Sequence, residues 1–136
     1  MVKTLKGEAL PVHDKGNQTR TFCYITDAIQ GFIKVLASDK NGEIYNVGRT
    51  DEEINMVSLG NLVSSLVTQK PTVELVAYPA SYPAGEPQRR CPDITKIQKE
   101  LGFKPSVNLK TGLTRTLTWY RFILKNEPAH NEPTTA

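Results

Sequence analysis

Residues 20–47, RTFCYITDAIQGFIKVLASDKNGEIYNV, change their hydrophobic period twice, and those changes decide the fold class. Arg20 to Ile25 is rich in aromatic and β-favouring side chains and reads as a strand. From Ala28 onward, Ala28, Ile29, Phe32, Ile33 and Leu36 fall on one face at helical spacing, with Thr26 or Asp27 placed to cap the helix. Asn41 and Gly42 then turn the chain, and Glu43 to Val47 reads as a second short strand with Ile44 and Tyr45 on opposite sides. Strand, amphipathic helix, strand is the building unit of an α/β chain.

The pattern continues on the C-terminal side. Leu59, Leu62, Val63, Leu66 and Val67 recur at helical spacing behind Asn55, a suitable N-cap. Thr72 to Ala77 alternates as a strand does, and prolines punctuate the loop from Pro79 to Pro92. Asp93 is placed to open a short helix with Ile94, Ile97 and Leu101 inward, ended by Gly102 and Pro105. A longer helix runs from about Leu109 to Leu124 behind Asn108, with Leu109, Leu113, Leu117, Tyr120 and Leu124 on one face. The expectation is one α/β domain of α+β character over residues 1–125, about four helices with short strands. Residues 126–136 carry no periodicity and two prolines, and are expected to form a disordered tail.

Composition narrows the chemistry. The chain has 136 residues, 38% hydrophobic and 23% charged, enough for one modest core. Its formal net charge is +3, with Lys and Arg spread along the chain rather than gathered in a stripe, which argues against a nucleic-acid partner. Cys23 and Cys91 form no CxxC pair, and with two histidines the chain supports neither a disulfide framework nor a zinc site. Neither a signal-peptide core nor a membrane-length apolar run is present, so a cytoplasmic protein with no membrane partner is expected.

Several catalytic constellations are absent as well. No glycines fit GxGxxG, GxxGxxG or GxxxxGK[ST], so no phosphate-cradling loop precedes a helix. None of Tyr24, Tyr45, Tyr78, Tyr82 and Tyr120 is followed four residues later by lysine, which removes a Tyr and Lys proton-transfer pair. His13 lies in a terminal strand and His130 in the tail, with no nucleophile motif beside either. What remains is arginine: Arg20 in NQTRTF, and Arg89 with Arg90 in PQRRCP. A guanidinium offers a rigid fork of donors matched to phosphate or carboxylate, and two forks can clamp a diphosphate. Spacing alone equally allows all three to be solvated surface side chains. On the strand after Arg20, alternating Phe22 and Tyr24 either pack in the core or flank a ligand, and the core is the commoner fate. Cys23 there reads as a small core residue, and Asn46 as a turn or sheet-end residue.

The runs LKGEALPVHDKGNQTRTFCYITDAIQGF, GEIYNVGRTDE and EPQRRCPDITKIQKELGFKPSVNLKTGLTRTLTWYR resemble the C-terminal portion of extended short-chain dehydrogenase/reductases acting on nucleotide sugars. The resemblance covers about residues 2–125, and QTRTFCYITD with PQRRCPDI is most similar to UDP-glucuronate decarboxylases. Next come dTDP-glucose 4,6-dehydratases and UDP-sugar 4-epimerases. It implies the substrate-binding part of an NAD-dependent enzyme, inactive alone, with the Rossmann half and its NAD site lying elsewhere and no cofactor bound by this chain. It further implies a UDP- or dTDP-sugar ligand. Arg20 matches the arginine that contacts the diphosphate, and Glu86 an acidic position at the nucleotide ribose. Arg90 matches an arginine facing nucleotide and sugar, with a proposed catalytic role near the carboxylate in decarboxylases. Arg89 sits where that family varies, and Cys91 stands where lysine is frequent. A separate Rossmann half or a second copy is the partner implied. The competing readings are a non-catalytic nucleotide-sugar-binding or regulatory module, and the inert product of a truncated gene.

Overall fold

The computed structural model describes residues 1–82 and 87–126. Among the described residues there are five helices and five short strands. Helix α1 (Val2–Lys6) ends at Gly7, whose φ of 75° lies in the left-handed region that glycine enters without cost. Strand β1 (Leu10–His13) follows, then β2 (Thr19–Arg20), α2 (Ile25–Leu36), β3 (Ile54–Asn55) and α3 (Met56–Ser65). The chain continues through β4 (Val73–Val76), β5 (Arg89–Arg90), α4 (Thr95–Leu101) and α5 (Leu109–Asn126).

The strands form two small sheets. β1 pairs in parallel with β4, Leu10 opposite Val73 and His13 opposite Val76. α3 lies on this pair, and Gly60 allows the approach, since a Cβ there would stand 3.0 Å from Val73 Cγ2. The other sheet has the order β3-β2-β5, with β2 antiparallel to β3 and parallel to β5. The core joins α4 and the residue after it: Ile94, Ile97 and Phe103 are buried, with Val35, Tyr45, Val47 and Leu101 packed around them. Leu117 of α5 is buried, and Leu109, Leu113, Tyr120 and Leu124 are half-buried on the same stripe, the face that the spacing predicts.

The local end signals hold. Asn55 Oδ1 accepts from Ser58 N at 2.8 Å to cap α3, and Asn108 Oδ1 accepts from Thr111 N at 2.8 Å at the start of α5. Gly102 ends α4 at φ 62°. Asp93 precedes the first turn of α4 by one position more than expected, yet its Oδ1 still accepts from Thr95 N at 2.8 Å.

Four expectations need correction. The strand over Arg20 to Ile25 is reduced to Thr19–Arg20, because Ile25 already belongs to α2 and Tyr24, in extended conformation, is its N-cap. Neither Thr26 nor Asp27 caps that helix: Asp27 is buried and its carboxylate accepts instead from Ser106 N, Ser106 Oγ and Val107 N. Glu43 to Val47 is not a strand. Side chains hold the segment in place of a ladder: Tyr45 Oη donates to Glu100 Oε2 at 2.6 Å, Asn46 Nδ2 to the Asp93 carbonyl at 3.0 Å, and Lys96 lies over the Tyr45 ring. Finally, the loop from Pro79 to Pro92 contains β5, and α5 extends through Asn126. The expected tail otherwise falls outside the described residues.

α2 sits with its polar side inward. Asp27 and Gly31 are buried and Val35 reaches the core, whereas Ile25, Ile29, Phe32, Ile33 and Leu36 are all exposed, Leu36 at 86%.

Candidate functional site

The site grows out of the three-stranded sheet. Parallel pairing puts Thr19 opposite Arg89 and Arg20 opposite Arg90. Paired residues share a face of a sheet and consecutive residues alternate, so Thr19 and Arg89 belong to one face and Arg20 and Arg90 to the other.

The first face is closed by a carboxylate. Glu53, next to β3, receives the Arg89 guanidinium in a two-pronged grip, Nε to Oε1 at 2.9 Å and Nη2 to Oε2 at 2.8 Å. The Thr19 hydroxyl donates to the same Glu53. Hydrogen bonds from Arg89 and Thr19 hold the Glu53 carboxyl below the usual carboxylate range. Arg89 therefore fastens β5 to the sheet through Glu53.

Neighbouring carboxylates neutralise a second arginine. Arg49 is 7% exposed; its Nε stands 2.6 Å from Asp51 Oδ1 in a close ion contact, and its Nη1 donates to the Val107 carbonyl at 2.6 Å. Burial opposes the Arg49 charge, but the hydrogen bond to Asp51 and the attraction of Asp51, Glu52 and Asp27 outweigh it and raise its pKa. Glu52 also accepts from Leu109 N at 2.9 Å, so the turn 51–53 links β3 to the start of α5. The sequence offered Asp27 only as a cap and did not single out Arg49; the Val107 carbonyl that Arg49 reaches lies 58 positions away, and the partners of Asp27 about 80.

Arg20 lines the larger of two cavities, about 620 Å³ in volume, and its Nη1 donates to the Thr19 carbonyl at 2.7 Å. The same cavity is lined by the rings of His13, Tyr78 and Tyr82. His13 stacks on Tyr78 at 5.1 Å and 12° between planes, and Tyr78 meets Tyr82 at 4.4 Å. Gln18, which is buried, donates to Tyr78 Oη at 3.2 Å and to the His13 carbonyl at 3.4 Å, joining the ring group to the strand that carries Arg20. This aromatic group was not legible in the sequence; His13 lies 65 and 69 positions from Tyr78 and Tyr82 and meets them because β1 pairs with β4. Arg90 and Arg89 line the second cavity, about 520 Å³, with Cys23, Cys91 and Arg49. Cys23 lines both cavities.

The remaining sequence candidates fall into place around these. Tyr24 packs against Gly112, and Arg115 lies 5.5 Å over its ring. Burial, with the Asp27 charge, pushes the Cys23 thiol up, the behaviour of a structural rather than reactive cysteine. Glu86 lies outside the described residues. Among the described residues no helix is long and apolar enough to cross a membrane.

The family described as GDP-mannose 4,6 dehydratase matches residues 1–116. UDP-glucuronic acid decarboxylase 6 of Arabidopsis thaliana is 38% identical over 113 residues, 83% of this chain and 31% of that protein. The dTDP-glucose 4,6-dehydratase of Escherichia coli is 32% identical over 124 residues, 88% of this chain and 34% of the relative. Among solved structures, the dTDP-glucose 4,6-dehydratase DesIV of Streptomyces venezuelae, with NAD and TYD bound, superposes with a TM-score of 0.72 at 31% identity. That match covers 89% of this chain and 36% of DesIV. UDP-glucuronic acid 4-epimerase of Bacillus cereus in complex with NAD gives a TM-score of 0.76 at 26% identity, over 94% of this chain and 38% of the epimerase. The chain thus spans about a third of the length of the relatives it matches.

Proposed function

Because the chain belongs to the GDP-mannose 4,6 dehydratase family, we propose that it is the nucleotide-sugar-binding portion of a decarboxylase, dehydratase or epimerase, taking a UDP- or dTDP-sugar. The observation that carries this reading is the register of β2 and β5, which sets Arg20 opposite Arg90 on the face not closed by Glu53. Two guanidinium groups on neighbouring strands match the two phosphates of a nucleoside diphosphate. The cavity that Arg20 lines supplies an aromatic wall, His13 with Tyr78 and Tyr82, suited to the flat face of a base.

In this reading Arg20 holds the diphosphate, and Arg90 holds the diphosphate and the sugar, including the carboxylate of a uronic acid where there is one. Arg89 holds the strand that presents Arg90. Glu86, assigned to the ribose by resemblance, keeps that role only as part of this proposal.

NAD, bound in the structures of DesIV and of the Bacillus cereus epimerase, does not fit the residues present. The chain has no glycine-rich phosphate loop and no Tyr followed four residues later by Lys. Its sheets have two and three strands, too few for a dinucleotide-binding fold. No hydride step is therefore assigned to these residues, and oxidation of the sugar would fall to NAD held by a Rossmann half outside this sequence.

Titration of the chain with UDP and dTDP, followed by amide chemical shifts, tests the proposal. Shifts at Thr19 to Tyr24 and at Arg89 to Cys91 that saturate with ligand are expected. Their absence at millimolar nucleotide overturns the reading.

A further inference from the structure

Arg20 and Arg90 stand opposite each other in the register of β2 and β5, yet they line different cavities, Arg20 the larger and Arg90 the smaller. Among the described residues, Cys23 alone lines both. Resting on the nucleotide-sugar reading above, we infer that the ligand straddles Cys23, with the base and the phosphate nearer the ribose in the larger cavity and the outer phosphate and sugar in the smaller. The size of the side chain at this position then determines which nucleotides the site takes.

A diphosphate gripped by both arginines reaches into both cavities, because each is lined by one member of the pair. The larger cavity suits the base. It is lined by the stacked rings of His13, Tyr78 and Tyr82, and it has polar groups in want of a partner. Thr4, 0% exposed, lines it with no hydrogen-bond partner for its Oγ1, and the buried His13 Nδ1 has none either. Such atoms are costly unless something satisfies them. The smaller cavity has no aromatic ring in its described lining and suits a hydroxyl-rich sugar instead: Thr21, Gly48 and Cys91 stand there beside Arg90, while Arg49 and Arg89 are held by Asp51 and Glu53. Cys23 lies three residues beyond Arg20, and its thiol donates to the Tyr24 carbonyl at 3.7 Å. A cysteine is narrow enough at this divide for a diphosphate to pass it; a branched aliphatic side chain in its place closes the way.

Amide chemical shifts of the chain titrated with UMP, UDP and UDP-glucuronic acid test the inference, with Cys23→Leu, Cys23→Val and Cys23→Ser as variants. In the unaltered chain, UMP should shift residues of the larger cavity, Gln18 and Tyr78 among them, and UDP-glucuronic acid should add Gly48 and Cys91 of the smaller. Cys23→Leu should weaken UDP and UDP-glucuronic acid at least about tenfold and UMP by less than about twofold. Cys23→Ser, which keeps the size of the side chain and a donor for the Tyr24 carbonyl, should bind all three as the unaltered chain does. Cys23→Val adds less bulk, should lose less affinity in the same order, and keeps the test valid should circular dichroism show that Cys23→Leu folds poorly. UDP affinity indifferent to both larger side chains overturns the inference and leaves the nucleotide reading standing. So do equal losses for UMP and UDP, the mark of a structural role, and shifts confined to one cavity with UDP-glucuronic acid. No saturable shift with any of the three overturns the nucleotide reading and this inference with it.

Discussion

Arg89 and Arg90 are adjacent in the chain and do opposite things: Arg89 is gripped by Glu53 on one face of the sheet, while Arg90 stands beside Arg20 on the other. The alternation of side chains along a strand separates a fastening arginine from one proposed to face the ligand within a single residue step. Affinity and strand attachment should therefore respond to different substitutions.

Arg20→Ala and Arg90→Ala should each weaken UDP binding by about tenfold, the loss of one charge-assisted contact partly open to water, about 1.5 kcal/mol. Stability to urea should change little. Arg89→Ala should do less to intrinsic affinity and more to the order of β5, seen as faster amide exchange at Thr19 and Thr21, which donate to Gln88 and Arg90 carbonyls. Equal affinity losses in all three variants would mean that Arg89 also faces the ligand.

The attachment of β5 should depend on pH. Glu53 has its folded pKa depressed below the ordinary 4.5, chiefly by hydrogen bonds from Arg89 and Thr19. A depressed carboxylate contributes stability that is fully present above its unfolded value and lost as the pH falls through the folded one. Exchange protection at Thr19 and Thr21 should accordingly hold at neutral pH and decline below about pH 4.5, ahead of global unfolding. Glu53→Gln should remove that part of the acid response. An unchanged acid profile in Glu53→Gln would show that other carboxylates control it.

How far the sequence carried the fold depended on whether the signal was local. Helices α3, α4 and α5 were legible because Asn55, Asp93, Asn108 and Gly102 act within their own turn. The two-residue strands were not, since two residues have no period and exist only by pairing with segments 34 to 70 positions away. Ile44, Tyr45 and Val47 alternate as a strand does, yet no neighbouring strand accepts them, and periodicity cannot reveal a missing partner. Burial of Asp27 was hidden for the same reason: a buried charge is stable only with its partners, and those of Asp27 are Ser106 and Val107, about 80 positions away.

Asp27 ties α2 to the segment that leads into α5. Its carboxylate accepts from Ser106 N at 2.9 Å, Ser106 Oγ at 3.1 Å and Val107 N at 2.8 Å while 4% exposed. Asp27→Ala leaves the part-buried amides of Ser106 and Val107 without their acceptor and should cost about 2 kcal/mol in urea unfolding. Asp27→Asn, which keeps one acceptor oxygen, should cost less. A loss under about 1 kcal/mol for Asp27→Ala would indicate that water replaces the carboxylate.

Gly31→Ala is the most local of these tests. An alanine in a helix interior is ordinarily favoured over glycine by about 0.5–1 kcal/mol. Here a Cβ would stand 2.5 Å from Val47 Cγ1 and 3.2 Å from Phe103 Cε2, a contact that forces the core apart. Overpacking of this kind costs about 1–3 kcal/mol, so the clash should outweigh the propensity gain and the variant should be less stable. Val47→Ala removes the nearer obstacle, so the double variant Gly31→Ala with Val47→Ala should lose less stability than the two single losses added together. Gly42, where a Cβ would meet nothing within 4 Å, is the control for steric effects, although its φ of 76° still strains an alanine. Additive losses at Gly31 and Val47 in chemical unfolding would show that α2 shifts to admit the methyl group, and that its close seat against Val47 and Phe103 is not what fixes the direction of its exposed face.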